Sequence, residues 1–596
     1  MIKSTYFHTL FFQAPLPPPK WRGVYRATDE MYRCPQLTRI GVLEESFLTD
    51  HPFNLLTNKA INVPVIYGTN SNEGLLFVSD ETDDTLSRLN GEYLFGKDLN
   101  FTTEAPLPPP KWNGVFHTTD EVFACPQLTK VGILGQVDCL RINVYAPSNA
   151  KPKLPVMFFI HGGGFQTGSS DKNLYAPNFV IHHDVILVTF NYRVATLGFL
   201  CLGIKEAPGN AGLKDQLAAL KWVKRNIASF GGDPDNITIF GESAGAASVS
   251  MFLANSATDG LFQKAILQSG SSIATWAINT DPIYTASQYV KTLGINTTDP
   301  YELYEIFSKM SLEELLKLPN MPVKQYFDEQ KLHLPCVEKS FPGEEPFLTD
   351  HPFNLLKNKS INVPVIYGTN SNEGLLFVSD ETDDTLSRHN GEYLFGKDLN
   401  FTTEAEKDYH RRNVKQFYFG TKQEINKEAV YNVSDYISDL YFNYPTQLES
   451  KLIKEKSNKP VYNYYFDYNG GRNLFKVICG FTNASGAVHE DELLYIFDAK
   501  VLHSRSSKKY KGKEKIIAAD KDMIHWMTKM WTNFAKYGDP TPEVETNLPI
   551  KWIPSSRGEL KFLYINDKLQ MGPMPDVDAY NLWDEIYSKY RRKVWV

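Results

Sequence analysis

A serine flanked by small residues stands between a short apolar strand and a helix rich in small residues. The motif is Gly241-Glu242-Ser243-Ala244-Gly245, and it directly follows a predicted strand at 237–240. Glycines on both sides allow the helix to approach the strand closely, so the turn can be sharp and can expose the hydroxyl above a sheet. The setting predicts a nucleophile elbow with Ser243 as the attacking group. A glycine-rich turn with an idle serine is the alternative.

A run of three glycines follows a second predicted strand, at 156–160, in the motif His161-Gly162-Gly163-Gly164-Phe165. Ester hydrolysis passes through a tetrahedral oxyanion, which needs two or three preorganised hydrogen-bond donors. Glycines leave their backbone N–H groups uncovered, so we expect Gly163, Gly164 and Ala244 to donate to this oxyanion. A flexible turn is the alternative. A phosphate loop would end in Lys-Ser/Thr, which this run does not.

Strand-like and helix-like segments alternate around the two motifs. Short runs of β-branched and aromatic residues occur at 156–160, 185–190, 237–240, 363–367 and 461–466, and helical patterns occur at 211–229 and 244–253. This alternation predicts the α/β class, a mostly parallel central sheet with helices on both faces.

Composition limits the partners. The chain has 596 residues, 42% of them hydrophobic, and a net charge of −7. It is therefore globular, and without a basic excess it is not expected to bind nucleic acid. No apolar run reaches the roughly 20 residues of a membrane-spanning helix. We expect a small-molecule partner and no membrane span, and the oligomeric state stays open.

Two internal repeats complicate the domain organisation. Residues 44–105 recur as 344–405 at an offset of 300 with four differences, and 15–43 pair more loosely with 106–134. A solenoid repeats one unit at a single period, whereas here two different segments each occur twice, at two different offsets. The repeats therefore do not indicate a solenoid. Since one sheet has one place for each strand, we expect 1–105 to be supernumerary duplicated segments and 106–596 to be the catalytic domain. A mis-joined gene model would produce the same pattern.

From about 106 to 596 the chain resembles the type-B carboxylesterase/cholinesterase family, and most of all its insect esterases. Besides the two glycine motifs, the resemblance lies in blocks such as Asn191-Tyr192-Arg193, Phe230-Gly231-Gly232-Asp233-Pro234 and Ala265-Ile266-Leu267-Gln268-Ser269-Gly270. The resemblance implies an α/β-hydrolase fold and a Ser–Glu–His triad that needs no metal or organic cofactor. Its implied members are Ser243, Glu373 and His489. Glu73, the duplicate of Glu373, precedes Ser243 in the chain. It therefore does not fit the family's order of serine, glutamate and histidine.

The resemblance also implies a disulfide and a substrate site. Cys125 and Cys139 match the family's first disulfide, whereas Cys201, Cys336 and Cys479 are expected to be buried thiols. Trp276 matches the acyl-pocket position, and we expect Phe165 and Phe377 to complete an apolar site, although Phe165 and Trp276 could equally be core residues. The loop between the first two cysteines carries no Trp to stack on a choline, which disfavours choline esters. Glu242 stands where juvenile hormone esterases typically have Gln.

The favoured interpretation is therefore a serine hydrolase of small to medium uncharged esters, such as xenobiotic, odorant or pheromone esters of the kind handled in insect detoxification. A catalytically inactive adhesion or binding protein and a chimeric gene model without activity are the alternatives. Seven Asn-x-Ser/Thr acceptors favour a secreted glycoprotein, yet the N-terminal sequence does not have the pattern of a signal peptide, so a cytoplasmic location stays open.

Overall fold

The computed structural model describes residues 75–76, 124–130, 132–148, 152–318, 331–379, 381–387, 390, 394–396, 398–420, 424–499 and 514–592. The predicted boundary between a duplicated segment at 1–105 and a domain from 106 lies outside these residues, except for Leu75–Leu76. No helix in these ranges combines the length and the apolar character needed to cross a membrane.

The described chain contains twelve strands and fifteen α-helices. The strands are β1 (Leu75–Leu76), β2 (Gln127–Thr129), β3 (Gly132–Leu134), β4 (Ile142–Tyr145), β5 (Leu154–Ile160), β6 (Ile186–Phe190), β7 (Gly232–Glu242), β8 (Lys264–Gln268), β9 (Val365–Asn370), β10 (Val461–Phe466), β11 (Phe562–Ile565) and β12 (Leu569–Gly572). The helices are α1 (Ala195–Phe199), α2 (Ala211–Asn226), α3 (Ala244–Ala254), α4 (Pro282–Thr292), α5 (Pro300–Ser308), α6 (Leu312–Lys317), α7 (Pro352–Asn358), α8 (Leu375–Val378), α9 (Asp383–Ser387), α10 (Glu404–Phe419), α11 (Val430–Ile437), α12 (Tyr444–Lys456), α13 (Leu474–Ile478), α14 (Glu514–Tyr537) and α15 (Val577–Tyr590). A π-helix, Ser438–Asn443, joins α11 to α12.

Ten strands form one sheet in the order β1-β4-β6-β5-β7-β8-β9-β10-β11-β12, and β2 and β3 form a separate hairpin. The seven strands from β6 to β11 run parallel, while the pairs β1–β4, β4–β6 and β11–β12 are antiparallel. The carboxyl ends of β5, β7, β8 and β9 therefore meet at one edge, where ligand sites of open α/β sheets form. The predicted mostly parallel sheet is confirmed.

Apolar side chains fill both faces of this sheet, as expected for parallel strands. Along β5, Phe158 and Ile160 join the core that contains α3, whereas Met157 and Phe159 join the opposite core, which contains Trp531 of α14. A third cluster is formed by α4 and α5 with the loop after α1. The sheet is thus buried between helices on both sides, and the strand ends that carry the motifs are rigidly placed.

Two disulfides brace the part of the chain that the structure describes. Cys125 is joined to Cys139, in agreement with the pairing that the resemblance implies. Cys201 is joined to Cys336 across 135 residues of sequence, so the expectation of buried thiols at these two positions is wrong. The bridge connects the loop after α1 to the segment that follows the α4–α6 region. Both cysteines are almost fully buried, so the bridge lies inside the protein.

Candidate active site

Ser243 is the single residue between the end of β7 and the start of α3, and its backbone is strained. Its dihedral angles are φ 57° and ψ −124°, a region that non-glycine residues rarely occupy and that is typically found at functional sites. Its backbone N–H donates to the carbonyl of Gln268 at 2.9 Å, which fixes the turn on the neighbouring strand. The sharp turn predicted from the Gly-x-Ser-x-Gly motif is present.

The glycines around Ser243 are required by close contacts. A Cβ at Gly245 would lie 2.0 Å from the carbonyl oxygen of Ile160, and one at Gly270 would lie 2.2 Å from that of Ser243. Real side chains do not tolerate such distances. Glycine at 245 therefore lets the start of α3 lie against the end of β5, and glycine at 270 lets the loop after β8 lie against Ser243.

The three-glycine run lies directly beside the turn. A Cβ at Gly162 would meet the carbonyl oxygen of Glu242 at 2.8 Å, whereas Gly164 has positive φ and nothing within 4 Å of its Cβ position. The space in front of Gly164 is therefore open. Ala244 is the first residue of α3, so its N–H has no partner within the helix. The three predicted donor residues thus come from two adjoining segments at one edge of the sheet.

The side chains of His161 and Tyr192 support the backbone of the glycine run. The two rings stack with centroids 4.2 Å apart, and the Tyr192 hydroxyl donates to the carbonyl of His161 at 2.8 Å. Burial lowers the pKa of His161 to about 4, against the contrary influence of the Gly162 carbonyl. A neutral, buried imidazole in this place stiffens the backbone of the loop.

Glu373 and His489 form a buried pair. Glu373 Oε2 lies 2.6 Å from His489 Nδ1, and the two side chains are 0% and 1% exposed. The other carboxylate oxygen of Glu373 accepts a hydrogen bond from the backbone N–H of Asn370 at 2.7 Å. The carboxylate is therefore held at both oxygens, and the imidazole ring is oriented through Nδ1.

The loops that carry this pair are joined by several hydrogen bonds. The N–H of Asn372 donates to the carbonyl of Ala487 at 2.9 Å, and the N–H of Ala487 donates to the Ser371 hydroxyl oxygen at 3.0 Å. The Asn370 side chain donates to the carbonyl of Val488 at 2.8 Å. These bonds connect the loop after β9 to the loop before His489. They hold Glu373 and His489, which are 116 positions apart in the sequence, at a fixed distance.

Further carboxylates surround the imidazole. His489 Nε2 lies 3.1 Å from Glu242 Oε1, and both side chains are 1% exposed. Burial, and next the charges of Glu490, Glu492 and Glu373, raise the pKa of Glu242 well above its usual value. Burial and Glu373 raise the pKa of Glu492 to about 7. Burial lowers the pKa of His489, but Glu373, Glu490 and Glu492 outweigh burial and raise it above 6.5.

Aromatic rings line one side of His489. The rings of Phe442 and Phe377 lie 4.7 Å and 5.4 Å from the imidazole, respectively, and Trp276 lies 5.8 Å from Phe442. Trp276 and Phe377 thus each lie against Phe442. Phe165 is different, since it is fully buried and packs edge-on against Phe199 at 5.1 Å.

Sequence reasoning missed Phe442 and Glu490 at this site. Phe442 lies on the π-helix, whose extra residue per turn leaves no clear periodicity in the sequence. Glu490 follows His489 with φ 71°, a conformation that favours glycine. Its position directly after the base was a signal that could have been used.

The parallel sheet, the strained serine turn and the loop-borne acid–histidine pair define an α/β-hydrolase fold. Solved esterase structures share it. Juvenile hormone esterase from Manduca sexta, with OTFP covalently attached, superposes with a TM-score of 0.69 and 30% identity over 82% of this chain and 92% of its own. A PNB esterase superposes with a TM-score of 0.62 and 28% identity over 81% and 92%.

The sequence comparisons identify the family. The carboxylesterase family model matches residues 97–583. Juvenile hormone esterase of Heliothis virescens is 31% identical over 77% of this chain and 82% of its own, and esterase FE4 of Myzus persicae is 34% identical over 76% and 79%. The chain belongs to the carboxylesterase family, and we class it as a carboxylic-ester hydrolase.

Proposed function

We propose that the protein hydrolyses small to medium uncharged carboxylic esters through an acyl-enzyme on Ser243. The observation that carries this proposal is the buried 2.6 Å contact between Glu373 Oε2 and His489 Nδ1. Nε2 of the same ring lies 3.1 Å from Glu242, the residue directly before Ser243 in its strained turn. A carboxylate at Nδ1 fixes the tautomer in which Nε2 is free to accept a proton, and it stabilises the imidazolium that forms.

In the proposed reaction, His489 Nε2 accepts the Ser243 proton while the serine oxygen attacks the ester carbonyl. The oxyanion accepts hydrogen bonds from the N–H groups of Gly163, Gly164 and Ala244. His489 then gives the proton to the departing alcohol, and water repeats both steps to release the acid. Without substrate, Nε2 has no hydrogen-bond partner among the described residues, and such catalytic hydrogen bonds often tighten only in the substrate complex.

The surroundings of His489 support uncharged substrates. Trp276, Phe377 and Phe442 give the site an apolar wall, and the nearby carboxylates of Glu242 and Glu490 would repel an anionic ester. Relatives include proteins named juvenile hormone esterase and bile salt-activated lipase.

The test is hydrolysis of a short-chain p-nitrophenyl ester by the full-length protein and three variants. We expect Ser243→Ala and Glu373→Ala to lose at least about a thousandfold in kcat. Glu73→Ala is the matched control, because Glu73 occupies the same place in the duplicated sequence. Loss of activity in Glu73→Ala with retention in Glu373→Ala would reverse the assignment, and retention in Ser243→Ala would refute the acyl-enzyme.

A further inference from the structure

Glu242, at the end of β7, lies close to the consecutive residues His489 and Glu490. One ring nitrogen of His489 and one carboxylate oxygen each of Glu242 and Glu490 lie within 4.8 Å of one another. Because Nδ1 is held by Glu373, Nε2 is the nitrogen left to bind a ligand. Glu242 and His489 are 1% exposed, and Glu490 is half-buried. The group therefore has two buried members and one half-buried member.

Two of these atoms have no hydrogen bond. Glu242 Oε1 and His489 Nε2 are 3.1 Å apart, but their alignment makes no hydrogen bond, and neither atom has another partner among the described residues. Buried polar atoms are almost always satisfied, so an unsatisfied pair in a native site requires an explanation. A ligand that accepts electron pairs from both atoms would satisfy them.

The charge around the group points to a cation. Four carboxylates, those of Glu242, Glu373, Glu490 and Glu492, surround one imidazole. Glu492 already accepts hydrogen bonds from Asn370 and Gln268, and both oxygens of Glu373 are bonded. In the part of the chain that the structure describes, the ion pairs of these four carboxylates include no Lys or Arg. Glu242 and Glu490 are thus the two carboxyl groups of this cluster with oxygens left for a cation, and a bound cation would favour their charged forms.

We propose that Glu242, His489 and Glu490 form a binding site for a divalent transition-metal cation, best matched by Zn²⁺, which inhibits the enzyme reversibly. One imidazole nitrogen and two carboxylate oxygens are a ligand set that suits zinc, with a water in the fourth position. Ca²⁺ and Mg²⁺ prefer oxygen ligands alone. Coordination occupies the Nε2 electron pair that accepts the Ser243 proton. The inhibition rests on the proposed function, whereas the binding does not.

Glu490 offers a clean test of the site. Its φ of 71° is a conformation that glycine adopts without strain, so Glu490→Gly removes a ligand and should keep the backbone. A control is needed for zinc bound elsewhere. Three histidines, His182, His183 and His525, line a pocket of about 400 Å³ against α14, and His525→Gln removes one of them.

The experiment is calorimetric titration of Zn²⁺ into the full-length wild type, Glu490→Gly and His525→Gln. We expect one site in the wild type, a loss of affinity of about tenfold or more in Glu490→Gly, and no change in His525→Gln. Zinc should inhibit p-nitrophenyl ester hydrolysis, EDTA should restore it, and the inhibition constant should rise by the same factor in Glu490→Gly.

Equal zinc affinity in the wild type and Glu490→Gly would overturn the site, as would loss of binding in His525→Gln. Calorimetry separates this proposal from the catalytic one. Zinc binding that depends on Glu490 in a protein without esterase activity would refute the proposed function and keep the metal site. Esterase activity in a protein that binds no zinc would refute the metal site and keep the proposed function.

Discussion

The hydroxyl oxygen of Ser438 accepts a hydrogen bond from the backbone N–H of Gly374 at 2.9 Å. Gly374 directly follows Glu373, and Ser438 is the first residue of the π-helix. The π-helix therefore holds the acid-bearing loop from one end and places Phe442 against His489 from the other. Irregular helical turns of this type are frequent at functional sites.

We expect Ser438→Ala to lower kcat roughly tenfold with a small change in KM, because the Gly374 N–H loses its acceptor and Glu373 is held less firmly. Steady-state kinetics on a p-nitrophenyl ester measures this. Ser434→Ala is the matched control, since the Ser434 hydroxyl, one turn earlier, has no hydrogen-bond partner among the described residues. Equal effects of the two changes would contradict the role of Ser438.

Phe442→Ala should widen the site. The ring lies between His489 and Trp276, so its removal leaves a cavity that longer acyl or alcohol groups can enter. We expect kcat/KM for a butyl-chain ester to fall. The ratio of kcat/KM for an octyl-chain ester to kcat/KM for the butyl-chain ester should rise about tenfold, which corresponds to roughly 1.4 kcal/mol. Phe417→Ala is the control because Phe417 is 46% exposed on α10. An unchanged chain-length profile would exclude Phe442 from the substrate wall.

The pH profile should report His489. Because the net effect of its surroundings raises the pKa of His489 above 6.5, the neutral, active form should accumulate only above that pH. We therefore expect the rising limb of kcat/KM to have its midpoint above pH 6.5. Glu373→Gln removes the strongest of the raising charges, so the midpoint of its residual activity should move to lower pH. A midpoint that moves to higher pH would contradict the effect of Glu373 on the pKa of His489.

The Cys201–Cys336 bridge should contribute strongly to stability. It joins residues separated by 135 positions, and the chain-entropy model assigns about 5 kcal/mol to a loop of that length. We expect Cys201→Ser to lower the midpoint of thermal or denaturant unfolding clearly. Cys479→Ser provides the comparison, since Cys479 lies in neither bridge. Equal losses in both variants would show that the bridge adds little.

Asp439 should make stability depend on pH. Burial raises its pKa to about 7, with Asp576 adding to this and Asn443 opposing it. The folded protein then binds a proton between about pH 4 and 7 that the unfolded chain has lost, so the free energy of unfolding falls as the pH rises through that window. We expect Asp439→Asn to flatten this fall, by about 2–3 kcal/mol between pH 5 and pH 7.5. Denaturant unfolding at pH 5 and pH 7.5 measures it, and identical slopes would contradict the prediction.

Much of the fold was predictable because its signals are local. The apolar run at 461–466 coincides with β10, and the helical pattern at 244–253 ends one residue before α3 does. The strained serine turn follows from glycines at fixed spacing. In contrast, Cys201 and Cys336 meet only through tertiary packing, and nothing in their spacing indicates a partner. Phe442 was missed because its direction depends on a six-residue π-helix rather than on regular periodicity.

The Leu-Leu pair of the duplicated segment occurs in two conformations. Leu75–Leu76 is the edge strand β1 on β4, whereas Leu375 and Leu376 open α8 beside the candidate acid. The first copy leaves the ribosome 300 residues before the second, an interval of about 15–60 s at usual synthesis rates. A nascent chain thus carries one copy of the β9 sequence, Val365–Asn370, well before the copy that forms the strand is made.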